Sequence, residues 1–204
     1  MIHRPFTSSP LAVRSSLAWL GHRLGIALAQ SQVSPAERDC LARLARGRRS
    51  LVEVGVYHGV STALLSRVMA PDGVLVAIDP HPPGRLGVSF ERMVAQREVA
   101  RGRPAGRVHW LRLTSHEAAA AWGGRADFIF LDGDHSWAAI ASDWADWSPR
   151  LLPGGVILLH DSRSVPWRPD HDAVRFTSEV VAHDGRVRHL ESVESLSAWE
   201  RRGD

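Results

Sequence analysis

Short apolar runs alternate with helical stretches along most of the chain. Five runs rich in Val, Ile, Leu and Phe predict buried strands at 51–54, 73–78, 107–113, 126–131 and 156–160. The segments that separate them predict helices over about 60–65, 89–101, 115–121 and 136–150. A helix near 171–182 and two short strands near 187–190 and 195–200 complete the pattern. This alternation predicts an α/β fold: a mostly parallel seven-stranded sheet with helices on both faces and an antiparallel edge.

The segment before the first strand predicts helices only. Leucines recur there at helical spacing, at Leu17, Leu20, Leu24 and Leu28. They predict an amphipathic helix over about 10–30 that packs on the sheet, covers a ligand or pairs with a second subunit. Ser34 and Glu37 form a capping-box sequence around Pro35, which predicts a second helix that ends near Arg46. We therefore divide the chain into a helical extension, 1–48, and an α/β domain, 49–204.

The first predicted strand runs directly into a glycine turn. Gly55 and Gly59 lack a Cβ, so the backbone can turn sharply there and approach a ligand closely. The helix that follows directs free N–H groups at whatever lies above the turn. Asp79 ends the next strand, 20 residues after Gly59, where a carboxylate can accept both hydroxyls of a ribose. The sequence therefore predicts a ligand that contains a nucleoside.

The same turn does not fit a dinucleotide. A dinucleotide fingerprint has three glycines, and the middle one lies against the pyrophosphate. Tyr57 stands at that middle position, and Glu53 adds a carboxylate that would repel phosphate and favour a cation. A nicotinamide-dependent oxidoreductase is therefore a weaker hypothesis.

A group of ionisable residues follows two further strands that we expect to be neighbours in the sheet. Its members are Asp132, Asp134, His135, His160 and Asp161. Because unpaired buried charge is costly, such a group at one edge of the sheet indicates a functional site. The structural alternative is that some members are solvated loop acids, and Asp134 in particular could cap the next helix.

These motifs together resemble a known family. The Glu-x-Gly-x-x-x-Gly turn, the Phe-Ile-Phe-Leu-Asp-Gly-Asp-His stretch and the later Leu-Leu-Pro-Gly-Gly-Val-Ile-Leu-Leu-His-Asp stretch occur in order. They resemble the methyltransferase 24 family, S-adenosylmethionine-dependent enzymes with a Rossmann-like fold. They are also similar to metal-dependent O-methyltransferases that act on natural products. The resemblance covers about residues 50–200.

The resemblance implies a binding site for S-adenosylmethionine. Glu53, Gly55 and Gly59 would line its methionine end, and Asp79 would bind the ribose. Ser115 would lie near the adenine, and Asp132 would border the bound cofactor as well.

The resemblance also implies a divalent metal, Mg²⁺ or Mn²⁺. By position, Asp132 and Asp161 would be metal ligands and Asp134 the catalytic base. His160 stands where an acid is expected, so it either completes the site for a softer metal or points away from it. If no metal is bound, His135 or His160 becomes the natural base, because imidazole titrates near neutrality.

Composition excludes several classes. The net charge is only +3 although the pI is about 10.2, because every basic residue is arginine and Tyr57 is the only tyrosine. A nucleic-acid partner is therefore not expected. Without lysine there is no Walker A loop and no Schiff base. Cys40 is the only cysteine, and no apolar run is long enough for a membrane span, so we expect a cytoplasmic protein.

The sequence therefore predicts an S-adenosylmethionine-dependent O-methyltransferase, assisted by a metal, that acts on a small hydroxylated acceptor of natural-product type. Three alternatives stay open: a metal-independent O- or N-methyltransferase with a histidine base, a nicotinamide-dependent oxidoreductase, and a non-catalytic S-adenosylmethionine-binding subunit. The acceptor depends on the loops at 80–90 and 162–170 and on the first helix, which could instead form a homodimer.

Overall fold

The structure is a computed structural model that describes residues 19–25, 28–84, 87–166 and 171–203. Its seven strands are β1 (Ser50–Val54), β2 (Val74–Ile78), β3 (Arg107–Leu111), β4 (Ala126–Leu131), β5 (Leu151–Leu159), β6 (Val187–Val193) and β7 (Leu196–Arg201). They form one sheet in the order β3-β2-β1-β4-β5-β7-β6. The first five strands are parallel, whereas β7 is antiparallel to both of its neighbours. The predicted α/β sheet with an antiparallel edge is confirmed.

Helices cover both faces of this sheet. Residues 19–23 are helical (α1). The other α-helices are α2 (Pro35–Ala45), α3 (Val60–Val68), α4 (Phe90–Gly102), α5 (Ser115–Ala121), α6 (Trp137–Trp147) and α7 (Asp172–Glu179). Two 3₁₀ turns occur at Ser148–Arg150 and Val181–His183. No helix in the described ranges is long and apolar enough to cross a membrane.

The central strands are buried on both sides, which explains their continuous apolar runs. In β4, Phe128 belongs to the cluster that includes Leu41 of α2, whereas Ile129 belongs to the cluster that includes Trp144 and Trp147 of α6. The Trp residues of α6 are thus core, and α2 closes the opposite face.

Several predicted boundaries differ from the structure; β3, for example, ends at Leu111 rather than at residue 113. The turn expected at 151–155 is instead the first half of β5, because Leu151 pairs with Ala126. The register shifts after this pair, and Gly154, which has a positive φ, lies in the irregular stretch. The helix expected to reach residue 150 ends at Trp147, where a 3₁₀ turn that contains Pro149 follows.

The N-terminal extension is only partly described. Leu17 lies outside the described residues, whereas Leu20, Leu24 and Leu28 are exposed and do not pack on the sheet. α1 is held on α4 instead, because buried His22 contacts Glu98 at 2.9 Å. The predicted capping box of α2 is present, and its second half is the hydrogen bond that the Ser34 backbone N–H donates to Glu37 at 2.9 Å. The division at residue 48 stays a prediction.

Candidate active site

A cavity of about 610 Å³ lies beyond the carboxyl ends of β1, β2 and β4, where ligands bind in open α/β sheets. Six of the predicted site residues line it: Gly55, Asp79, Ser115, Asp132, Asp134 and His135. Its walls also include residues 30–33, which connect α1 to α2. Glu53, Gly59, His160 and Asp161 are not on the wall of this cavity, although the last two lie directly behind it.

The two glycines of the turn have different tasks. Gly55 has a φ of 87°, and a Cβ there would lie 2.0 Å from the backbone oxygen of Asp132. It therefore allows the ends of β1 and β4 to approach each other at the cavity. Gly59 has a φ of 75°, and a Cβ there would lie 2.8 Å from Cα of Ala95. Because Gly59 has no side chain, α4 can pack against the start of α3, outside the cavity.

Asp79 shapes the turn as well as lining the cavity. Its carboxylate accepts backbone hydrogen bonds from Val56 and Tyr57, both at 3.0 Å, and from His81 at 2.8 Å. Because a carboxylate has about four acceptor positions, the three bonds leave capacity for a ligand hydroxyl. Tyr57 has a φ of 50° and is held in that left-handed conformation by this network.

Glu53 lies beneath the cavity. It is completely buried, and burial raises the pKa of its carboxyl to about 8. Hydrogen bonding to Ser61 and Thr62 at the start of α3 partly offsets this rise of the pKa. Glu53 lies behind the cavity wall, and its predicted contact with the methionine end stays a prediction.

Asp132 and two histidines form the densest polar group of the site. His160 Nδ1 lies 2.8 Å from Asp132 Oδ1, and His135 Nε2 lies 3.5 Å from the same oxygen. One donor atom from each of the three residues lies within 4.8 Å of the others. The structure thus brings together three residues that follow two different strands, as the sequence predicts.

Each histidine has a second carboxylate on its other ring nitrogen. Asp161 Oδ2 lies 3.2 Å from His135 Nδ1, and Glu37 Oε2 lies 3.4 Å from His160 Nε2. Asp161 also has a φ of 50°, and its Oδ1 is 3.9 Å from His160 Nδ1. The predicted ligand Asp161 therefore faces the histidines, and His135 takes its place beside Asp132.

These carboxylates control the charge of the rings. Burial alone would lower the pKa of His135, but Asp132 and Asp161 outweigh it and raise the pKa to about 9. Burial likewise opposes the charge on His160, but Asp132 and Glu37 raise its pKa to about 10. Asp132, Asp161 and Glu37 thus favour the charged form of the two rings.

Asp134 and Ser115 have partners of their own. Asp134 is exposed on the cavity wall, where it accepts a hydrogen bond from the Ser136 N–H at 2.9 Å. The N-cap of α6 is Ser136, so Asp134 does not cap that helix itself. Ser115 accepts a hydrogen bond from Trp147 Nε1 at 2.9 Å.

The sequence patterns do not identify two residues of the site, one behind the cavity and one on its wall. Glu37 reads as an ordinary capping-box residue, yet it is buried and reaches His160. Asp143 of α6 lies on the cavity wall, and burial raises its pKa to about 6. Helical spacing places Asp143 on the same face as Ile140 and Trp147, and this is the signal in the sequence that marks it as buried.

The donor set of the polar group fits a divalent metal of intermediate softness. His135 Nε2 and both ring nitrogens of His160 are buried without a hydrogen-bond partner in the described ranges, although carboxylates lie within ion-pair distance. Two imidazoles and one carboxylate suit manganese, iron or zinc better than magnesium, which prefers oxygen ligands.

Comparison with known proteins gives a consistent result. Residues 52–162 match the Methyltransf_24 family, described as a methyltransferase domain. A protein from Mycolicibacterium vanbaalenii, provisionally described as an O-methyltransferase, is 32% identical over 74% of this chain and 63% of its own length.

Solved structures share the fold. The O-methyltransferase TomG from Streptomyces achromogenes, in complex with S-adenosylmethionine, has a TM-score of 0.64 and 22% identity over 93% of this chain and 89% of its own. An O-methyltransferase from Bacillus cereus in complex with S-adenosylhomocysteine has a TM-score of 0.58 and 21% identity, and covers 97% and 94% of the two chains.

Proposed function

Because the chain belongs to the methyltransferase 24 family and is an S-adenosylmethionine-dependent methyltransferase, we propose that it methylates a hydroxyl oxygen of a small molecule with the help of a divalent metal. The observation that carries this proposal is the group formed by Asp132, His135 and His160 at the edge of the cavity. The names of the relatives support transfer to oxygen.

In this proposal the glycine turn, Asp79 and Ser115 hold the methyl donor. Asp79 would accept a ribose hydroxyl with the acceptor position that its three backbone hydrogen bonds leave open. The reaction forms a bond between the acceptor oxygen and the methyl carbon, breaks the bond between that carbon and the sulfonium, and releases S-adenosylhomocysteine. The acceptor must also lose its hydroxyl proton.

The chain's own residues prepare that proton loss. Asp134 lies on the cavity wall two residues after Asp132, and we assign it as the base that takes the proton. A metal held by Asp132, His135 and His160 would lower the pKa of a hydroxyl bound to it, as metals do for water. Asp161 keeps His135 oriented from behind.

The acceptor is proposed to be a small natural-product-type molecule in the cytoplasm rather than nucleic acid or a membrane. The net charge of only +3 gives no broad basic surface for nucleic acid. Residues 30–33 on the cavity wall are the part of the extension that would contact the acceptor.

The test is methyl transfer to a panel of phenolic, catecholic and sugar hydroxyls, measured as S-adenosylhomocysteine formed with and without Mn²⁺. The Asp132→Asn variant keeps the shape of the side chain and should lose the metal-stimulated rate. The control Asp127→Asn, at the end of β4 that points away from the cavity, should keep it. Product formed equally well after chelation would remove the metal from the proposal. Tight S-adenosylmethionine binding without any product would favour the non-catalytic subunit.

A further inference from the structure

We propose that Glu37, on the helical extension, is a positioning residue that fixes His160 as a metal ligand. This inference rests on the proposed function, because it concerns the metal group of that site. The inference goes beyond the proposed function because it gives α2, which lies outside the sheet, a role in holding a metal ligand in place.

The contacts of Glu37 are unusual for a capping residue. Oε2 accepts the Ser34 N–H at 2.9 Å and lies 3.4 Å from His160 Nε2. Oε1 accepts the Ser195 N–H at 3.0 Å and the Ser195 hydroxyl at 2.6 Å. Ser195 belongs to the turn between β6 and β7, so the carboxylate is fixed from three separate parts of the chain.

A second capping box in the same chain shows what the motif alone requires. Glu117 caps α5 with Thr114, whose backbone N–H donates to its carboxylate at 2.9 Å. Glu117 is exposed, and among the described residues its carboxylate accepts hydrogen bonds from Thr114. Glu37 is 2% exposed. Because burying a carboxylate is costly, the capping role alone does not explain the position of Glu37.

Glu37 lies where it can hold the proton that a metal-bound His160 keeps. If a metal replaces the proton on Nδ1, the remaining proton is on Nε2, which faces the Glu37 carboxylate. Nδ1 is the nitrogen that lies 2.8 Å from Asp132 Oδ1, on the side of His135. Metal-binding histidines commonly donate their other N–H to a carboxylate, which orients the ring and raises its basicity.

The two histidines of the group are therefore supported in the same way from opposite sides. Asp161 faces Nδ1 of His135, while Glu37 faces Nε2 of His160, and the remaining nitrogen of each ring points to Asp132. The ring of Phe130 contacts His160 edge-on, with centroids 6.4 Å apart, and limits its rotation. Glu37 thus orients the His160 ring from α2, and the segments that follow β4 and β5 place no carboxylate on that ring nitrogen in the described residues.

The experiment measures Co²⁺ affinity of the full chain by calorimetry and its coordination by visible absorption. Glu37→Gln should bind Co²⁺ about 10–100-fold more weakly, the usual effect of losing such a partner, and its absorption bands should change. Glu117→Gln, the matched capping-box control, should leave both unchanged. Each variant should bind S-adenosylhomocysteine as tightly as the wild type, which would show that its cavity is intact.

A double-mutant cycle separates positioning from mere stability. In a His160→Asn background, Glu37→Gln should cause no further loss of Co²⁺ affinity, because its effect passes through His160. If Glu37→Gln does not fold, Glu37→Asp decides, since its shorter carboxylate keeps the charge but is withdrawn from the ring. Unchanged Co²⁺ affinity in the variant, or an equal further loss without His160, overturns the inference alone. If the wild-type chain binds no Co²⁺, both this inference and the metal of the proposed function are wrong. Methyl transfer itself is tested separately, by product formation.

Discussion

The carboxylate of Asp79 accepts the backbone N–H of Tyr57 at 3.0 Å, so the acid at the end of β2 holds the glycine turn at the end of β1. The same oxygen accepts the N–H of Val56. A single residue therefore shapes the cavity and presents acceptor positions to a nucleoside. Loss of Asp79 should disturb both functions together.

Asp79→Ala should weaken S-adenosylmethionine binding by about 1–3 kcal/mol, because it leaves buried polar partners without their acceptor. Calorimetry with S-adenosylmethionine, S-adenosylhomocysteine, NAD and NADP measures the effect and the selectivity. The wild type should bind both dinucleotides far more weakly, since Tyr57 occupies the middle position of the turn. Equal affinity for NAD and S-adenosylmethionine would contradict this prediction.

Local patterns predict the sheet and the turn because their physical causes lie within a few residues of one another. The apolar runs of β1 and β4, the glycines and the acid at the end of β2 can all be read without tertiary knowledge. The meeting of Asp132 with His160 follows as well, since both come after neighbouring parallel strands.

The contact between Glu37 and His160 could not be predicted in this way. It depends on how α2 packs against the end of the sheet, across 123 positions of sequence. The pKa of Glu53 at about 8 is likewise set by complete burial, which the glutamate's place in a strand does not reveal. The position of Asp161 beside Nδ1 of His135 accompanies a positive φ at Asp161 that no local motif marks.

Glu53 should make the protein less stable at alkaline pH. Its pKa in the folded protein, about 8, is higher than the ordinary 4.5, so the folded state holds the proton more tightly. The favourable contribution of the protonated form is complete below the ordinary pKa and is lost as the pH rises through about 8. Thermal unfolding at about pH 5 and about pH 9 should therefore show a fall in stability of several kcal/mol from this group.

Glu53→Gln should flatten that fall, because the amide does not titrate. Glu117→Gln is the control, since Glu117 is exposed and should leave the pH dependence as it is. If the wild type and Glu53→Gln lose stability equally between these pH values, Glu53 is not the group responsible.

The extension should contribute to acceptor binding or to subunit pairing. The hydroxyl of Tyr57 donates to the Gln30 side-chain oxygen at 2.9 Å, and the Gln30 N–H donates to His58 Nδ1 at 3.1 Å, so this segment is tied to the turn. Leu24 and Leu28 are exposed beside it. Removal of residues 1–27 should change the acceptor KM or the sedimentation coefficient while leaving S-adenosylmethionine affinity intact.

Leu24→Glu with Leu28→Glu tests the exposed leucines without shortening the chain, and it should change the sedimentation coefficient only if they pair subunits. An unfolded truncated protein would mean that the extension is needed for the core, and this prediction would then be wrong.

The last prediction separates the roles of Asp132, Asp134 and Asp161. Methyl transfer from a sulfonium is a direct displacement, so the acceptor oxygen must lie in line with the methyl group and carry negative charge. Asp134→Asn keeps nearly the same shape without the basicity and should slow turnover roughly a hundredfold or more. Asp132→Ala should abolish the metal-stimulated rate with S-adenosylmethionine still bound, because it removes the carboxylate oxygen that lies 2.8 Å from His160 and 3.5 Å from His135.

Asp161→Ala should weaken metal binding through His135, whose Nδ1 it contacts at 3.2 Å, and should lower the metal-stimulated rate less than Asp132→Ala does. Steady-state kinetics over a range of Mn²⁺ concentrations measures this difference, since a lost positioning partner raises the Mn²⁺ concentration needed for half-maximal rate. Glu179→Ala, an exposed acid at the end of α7, serves as the control. Activity that survives exhaustive chelation, or an Asp161→Ala enzyme as fast as the parent at every Mn²⁺ concentration, would return the proton transfer to the histidines, with His135 the nearer candidate because it lies on the cavity wall.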